Sequence, residues 1–253
     1  GQLLISSGNL FEAENYLRNA LALYDNRADD SYAIIICSYL ASLFTELINE
    51  GYGTIYLDEA LECYEKVINF REEHLGMHHV DTAVIYHEYA GLWYNIAADD
   101  EGRCKALDYC KRAQKIYEEL FGKYSIALLQ SKNLEALILW DAGKLNESAK
   151  LFELIIDDIT KRGEKFVVDK ADYLLNYAGN LIEVALDDSE NGLNDVEYRA
   201  KGFLYSQKKA YEKGKALYKE VIEIMENFST TENPKLARAY QEYADLLFRE
   251  RKT

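Results

Sequence analysis

The chain has 253 residues, 49% of them hydrophobic, and a formal charge of −15. One proline, Pro234, and 14 glycines are too few turn residues for a sheet protein of this length, so composition points to an all-helical fold. A polyanion repels phosphate backbones and anionic lipid surfaces, which argues against nucleic acid and membrane as partners.

In chain order, the first expected helix carries Ala13, Leu17 and Ala20. Spacings of four and three put these residues on one helical face. A longer stripe follows: Ile34, Cys37, Leu40, Ala41 and Phe44. The two patterns then alternate. Ala60, Tyr64 and Val67 precede Ala83, Tyr86, Tyr89, Ala90 and Trp93; Ala106, Cys110 and Ala113 precede a helix around Ala136. Ser148, Phe152 and Ile155 lead to Ala171, Leu174, Tyr177, Ala178 and Leu181. Gly214, Tyr218 and Val221 lead to Ala237, Tyr240, Tyr243, Ala244 and Leu247. The small residues let a neighbouring helix approach closely.

The gap from the last residue of each short stripe to the alanine of the next long one is 23 residues four times: Val67 to Ala90, Ala113 to Ala136, Ile155 to Ala178 and Val221 to Ala244. Equal gaps mean one two-helix unit stacked repeatedly, each burying its face against its neighbours. The helix around Ala136 departs from the pattern, with Lys132 and Glu135 where its siblings are apolar. Either its register shifts by one, or these two residues pair across one helical turn.

The loops within repeats vary. Ala41 to Ala60 spans 19 residues, Ala90 to Ala106 spans 16, and Ala136 to Ser148 spans 12, with a compact turn at residues 141–145. From Ala178 to Gly214 the span is 36. Residues 187–192 read as a loop and 195–207 as an inserted helix; a single helix over about 195–228 is the alternative.

These stripes, the passage from Tyr64-Glu65-Lys66-Val67 through Arg71-Glu72-Glu73-His74-Leu75-Gly76 to His79-Val80-Asp81-Thr82-Ala83, and Pro234 at a helix start resemble the tetratricopeptide repeat (TPR). The likeness is to the kinesin-light-chain-like form, with repeats of about 42 residues. The resemblance implies an all-α fold, a right-handed α-solenoid (superhelix) of antiparallel helix pairs. It implies one repeat domain over residues 1–253, with about five repeats, partial at both ends, and an insertion near 187–210. The chain reads as a fragment of a longer protein.

Chemistry has few candidates. His74, His78, His79 and Asp81 form the one metal-like cluster, but Gly76 interrupts the helix between them, so a solvated turn is the expectation. No nucleophile, phosphate-loop or dinucleotide motif is present. The expectation is no enzyme, no cofactor and no metal. Cys37, Cys63, Cys104 and Cys110 form no Cys-x-x-Cys pair and three fall at packing positions, which suggests a reducing, cytoplasmic setting. No signal peptide is visible, and no apolar run is read as a membrane span.

The resemblance implies that the first helix of each pair lines a concave groove. Positions beside the packing stripe then give the candidate partner-binding residues: Ser38, Ser42, Thr45 and Glu46; His87, Tyr94 and Asn95; Asn133, Trp140 and Asp141; Glu183; Gln241 and Asp245. Amides hold an extended peptide backbone and aromatics anchor side chains. The groove is acidic, so the expected partner is a protein or peptide that is basic or apolar rather than acidic. The expected function is a protein–protein interaction scaffold. The alternative is a peptide-sensing regulatory module that controls an attached effector domain, and self-assembly is a third reading.

Overall fold

The computed structural model describes residues 9–24, 31–163, 166–186, 205–228 and 233–250. Among the described residues there are ten α-helices and no strand. They are α1 (Leu10–Ala22), α2 (Ser31–Leu47), α3 (Gly53–His74), α4 (Val80–Ile96), α5 (Asp100–Phe121), α6 (Ile126–Asp141), α7 (Leu145–Thr160), α8 (Val167–Leu186), α9 (Tyr205–Phe228) and α10 (Pro234–Glu250). The chain forms two compact units, residues 1–122 and 123–253.

In the first unit each helix packs on the next, from α1 to α5. The long stripe of α2 is buried throughout, and so is that of α4 apart from half-buried Trp93. Ala60, Tyr64 and Val67 of α3 and Ala106, Cys110 and Ala113 of α5 are buried against them. Helix starts follow the sequence chemistry: the His79 side chain accepts the Asp81 N–H at the start of α4, and Asp99 accepts the Gly102 N–H at the start of α5. Such caps satisfy amides that have no partner within the helix.

Helix α2 continues into one π-helical turn, Ile48–Tyr52, that breaks at Gly51, whose φ of 101° suits glycine. The stretch Ser31–Tyr52 holds an 18-residue window of mean hydropathy 1.6 and is, by length and composition only, long and apolar enough to cross a membrane. By that measure it departs from the sequence expectation that no apolar run approaches a membrane span. The apolar character has a packing explanation: Leu40, Ala41, Leu43, Phe44 and Leu47 form core against α1 and α3.

In the second unit α6 pairs with α7, α8 packs on both α7 and α9, and α10 packs on α9. The turn between α6 and α7 is tight because Gly143 takes φ 73° and its N–H bonds the Trp140 carbonyl, while Lys144 N–H bonds Leu139. Phe152, Ile155 and Ile159 of α7 pack against Tyr173, Tyr177 and Leu181 of α8. The other face of α8 meets Tyr218, Val221 and Met225 of α9. A Cβ at Gly214 would lie 2.9 Å from Ile182 and 3.1 Å from the Ala178 carbonyl. The small residue therefore sets how closely α8 and α9 approach.

The irregularity around Ala136 has a specific cause. The register does not shift, since Leu129, Ala136 and Leu139 are all buried. Lys132 instead reaches the fully buried Asp158 of α7 at 3.8 Å, and Lys123 reaches the same carboxylate at 3.5 Å. An ion pair replaces the apolar contact that the other repeats make.

Helix α9 is continuous from Tyr205 through Tyr211 to Phe228, so no turn separates residues 205–207 from the Gly214 stripe. Residues 187–204, where the rest of the expected insertion falls, lie outside the described residues. Helix α10 begins at Pro234, with the Asn233 side chain accepting the Lys235 N–H. Its buried residues are Ala239 and Leu246, while Tyr240 and Leu247 of the expected stripe are exposed. Ala239 and Leu246 belong to the cluster that contains Tyr218 and Val221 of α9 and Ala171 and Leu174 of α8, so α10 buries the edge that meets these two helices.

Candidate functional site

Successive first helices touch through polar side chains. In the first unit, Ser42 Oγ donates to the Ser38 carbonyl and lies 3.4 Å from Glu88 of α4. Arg71, near the end of α3, joins the same group: its guanidinium donates to Ser38 Oγ at 3.4 Å and to the Asp81 carbonyl at 2.6 Å. Burial raises Glu88 above the usual carboxylate range, opposed by Arg71 and by the Ser42 hydroxyl. Thr45 Oγ1 donates to the Ala41 carbonyl and shares a hydrogen bond with the Tyr64 hydroxyl. Asn95 donates to Asn49 at 2.8 Å.

Tyr94 is half-buried and Glu46 exposed. His87 is half-buried too, and its Nδ1 makes no hydrogen bond; burial lowers its pKa, which favours the neutral ring. The metal-like histidines go separate ways. His74 bonds the Phe70 carbonyl and stacks on its ring, His78 pairs with Glu119, and His79 caps α4.

The second unit has its own row. Asn176 of α8 donates to Asn133 of α6 at 3.1 Å and accepts from Arg238 of α10 at 3.3 Å. One polar chain thus links three first helices. Two turns further along, the Trp140 indole N–H donates to Glu183. The indole lies across α8 because residue 179 is glycine: a Cβ there would sit 2.6 Å from the ring.

Beside this contact is a cavity of about 260 Å³, lined by Trp140, Gly179, Ile182, Glu183, Tyr218, Glu242, Asp245, Leu246 and Arg249. Tyr218 hydroxyl donates to Glu242, which also pairs with Arg238 at 2.6 Å. Burial, and then Glu242, push the Tyr218 phenol well above its ordinary value, so it stays protonated. The wall combines two aromatic rings with three carboxylates and one arginine.

Three sequence candidates, Trp140, Glu183 and Asp245, therefore share one cavity. Ser38, Ser42, Thr45, Asn95 and Asn133 bond neighbouring helices, and Asp141 and Gln241 are exposed on their helices. Sequence reasoning missed Glu88, Arg71, Asn176, Arg238, Tyr218 and Glu242. Glu88 and Asn176 sit two residues before the repeat alanines Ala90 and Ala178, a recurrent polar position that could have shown the first pair. Tyr218 reads as a packing residue from its stripe alone.

No family model matches the chain, and no curated protein matches its sequence. Solved structures do match. BtubC (BKLC) from P. vanneervenii is similar over 92% of this chain and 80% of its own, at 17% identity and a TM-score of 0.64. Two structures of the nearly identical TPR-like repeats of a Podosopora anserina protein named as a kinesin light chain also match. They cover 83% of this chain and 92% of their own, at 17% and 18% identity, with TM-scores of 0.54 and 0.52. The likeness defines the fold: this chain is built as a TPR-like all-α solenoid of antiparallel helix pairs.

Proposed function

We propose that the chain is a non-catalytic protein-interaction scaffold that takes a basic segment of a partner protein, with the cavity around Trp140 holding a lysine or arginine side chain. The observation that carries this reading is the wall itself, lined by the aromatic side chains of Trp140 and Tyr218 and by the carboxylates of Glu183, Glu242 and Asp245. A cation is attracted by both. The formal charge of −15 adds long-range attraction for a basic partner.

On this reading, exposed Glu46, Asp141 and Gln241, with Tyr94, extend the contact along the first helices within each unit. Ser38, Ser42, Thr45, Asn95, Asn133 and His87 shape the surface, since the first five already bond other parts of the chain. The cytoplasm is the proposed location, where the thiols stay reduced.

A peptide array of basic, apolar and acidic sequences tests the reading. Binding of basic peptides that Glu183→Gln with Asp245→Asn weakens, at unchanged helicity, is the expected result. Preference for acidic peptides, or indifference to both substitutions, would overturn it.

A further inference from the structure

Helix α10 sits on α9 as α4 sits on α3. The Tyr86 hydroxyl of α4 donates to Glu72 of α3, and the Tyr240 hydroxyl of α10 donates to Glu226 of α9. The Tyr89 ring lies 5.1 Å from that of Tyr64, and the Tyr243 ring 6.2 Å from that of Tyr218. Each residue of the second set stands 154 positions after its counterpart, so α4 and α10 share one register. Their other faces differ. Helix α4 also packs along α5, and its Ala83, Tyr86 and Ala90 are at most 1% exposed. The matching Ala237 and Ala244 of α10 are exposed, and Tyr240 is 46% exposed.

Helix α1 shows the complementary face. Its Ala13 and Leu17 are buried, but Ala20 is only half-buried where the matching Val67 and Ala113 are fully buried. Tyr16 is 56% exposed. Its counterpart 93 positions later is Tyr109 of α5, whose ring packs on Tyr86 at 5.7 Å and on Tyr89 at 4.7 Å. Among the described residues, α1 is thus a second helix with no first helix on this face, and α10 is a first helix with no second.

We propose that copies of this chain associate head to tail, with α1 of one copy packing on α10 of another as the second helix of the repeat that α10 opens. Tyr16 then lies on Tyr240 and Tyr243 as Tyr109 lies on Tyr86 and Tyr89. The register match names the occupant. The exposed stripe of α10 is the one that α4 sets against a short-stripe helix, and α1 carries that short stripe with a tyrosine at the contacting position. Ala237 and Ala244 let the incoming backbone come close, as Ala83 and Ala90 do in the first unit. The two surfaces are unlike, so the contact is heterologous and each pair keeps one α1 face and one α10 face for further copies.

The test is sedimentation of the full chain over a range of concentrations, in salt that screens the repulsion between chains of charge −15. The wild type should exceed the mass of one chain and grow with concentration. Tyr16→Glu spoils the α1 face and Ala244→Glu the α10 face, both at exposed positions. Each variant alone should stay at the mass of one chain with wild-type helicity. Mixed in equal amounts they should form a pair and stop there, because one intact α1 face and one intact α10 face remain. A wild type that stays at the mass of one chain at every concentration would overturn the proposal, whatever the variants do, and would leave these faces to a different protein. So would single variants that assemble as the wild type does, or a mixture of normally helical variants that fails to pair.

Discussion

Replacing Lys132 by methionine removes one ammonium from a carboxylate that has no exposed surface. Asp158 accepts no hydrogen bond and depends on Lys132 at 3.8 Å and Lys123 at 3.5 Å. At an effective dielectric near 20, a pair at this distance is worth about 4 kcal/mol before desolvation. Breaking a buried pair typically costs about 3–5 kcal/mol, because the remaining charge is stranded. Lys123 stays, but half its side chain is exposed, so water weakens its compensation. The expected loss for Lys132→Met is therefore about 2–3 kcal/mol. Removing both charges with Asp158→Leu should recover most of it, since an apolar pair is what the sibling repeats use. Urea denaturation followed by circular dichroism measures this without adding salt. The reasoning fails if Lys132→Met leaves the urea midpoint unchanged, or if the double variant is no more stable than the single one.

Three further outcomes follow from the same geometry. Gly214→Ala should destabilise the second unit by about 1–3 kcal/mol through overpacking, seen as a lower urea midpoint, because the new methyl meets Ile182 and the Ala178 carbonyl. Gly179→Ala should displace the Trp140 ring, read as a shift in tryptophan emission and as weaker binding of a basic peptide. His87 and Glu88 should give opposite pH dependences. The folded-state pKa of His87 is depressed, so its contribution is present above about 6.5 and lost as pH falls. That of Glu88 is raised, so its contribution is full below about 4.5 and lost as pH rises through the folded value. Urea midpoints across pH 4.5–7.5 should show less acid loss in His87→Gln, and less decline with rising pH in Glu88→Gln.

What was legible in the sequence was what periodicity encodes. Stripes with fixed offsets mark buried faces, so Tyr64, Tyr86, Phe152 and Val221 were readable as core before any coordinates. Lys132 could be seen as an exception but not explained. Its partner Asp158 is 26 positions away on another helix, and only the packing of α6 on α7 brings them together. Helix α10 shows the converse limit. Its stripe matches its siblings, yet Tyr240 and Leu247 are exposed, because a stripe states which face can be buried and neighbours decide whether it is.

The candidate site was half visible. The sequence marks polar positions beside each stripe, but which of them bond one another depends on how neighbouring first helices stack. Asn133 therefore joins Asn176, while Asp245 opens onto a cavity. Tyr218 enters from α9, an element that the long-stripe pattern does not assign to the site, and Glu242 from a position of α10 that the pattern passes over.

The central claim is that the Trp140 cavity takes a cationic side chain of a partner. Its most direct measurement is calorimetric titration of the full chain with one arginine-containing peptide chosen from the array, alongside the same peptide with that arginine changed to citrulline, which keeps the shape and removes the charge. The account predicts that citrulline weakens binding to the wild-type chain by at least about tenfold, or about 1.4 kcal/mol, and by much less when Glu183→Gln and Asp245→Asn are present. Equal affinity of both peptides for the wild-type chain would contradict it.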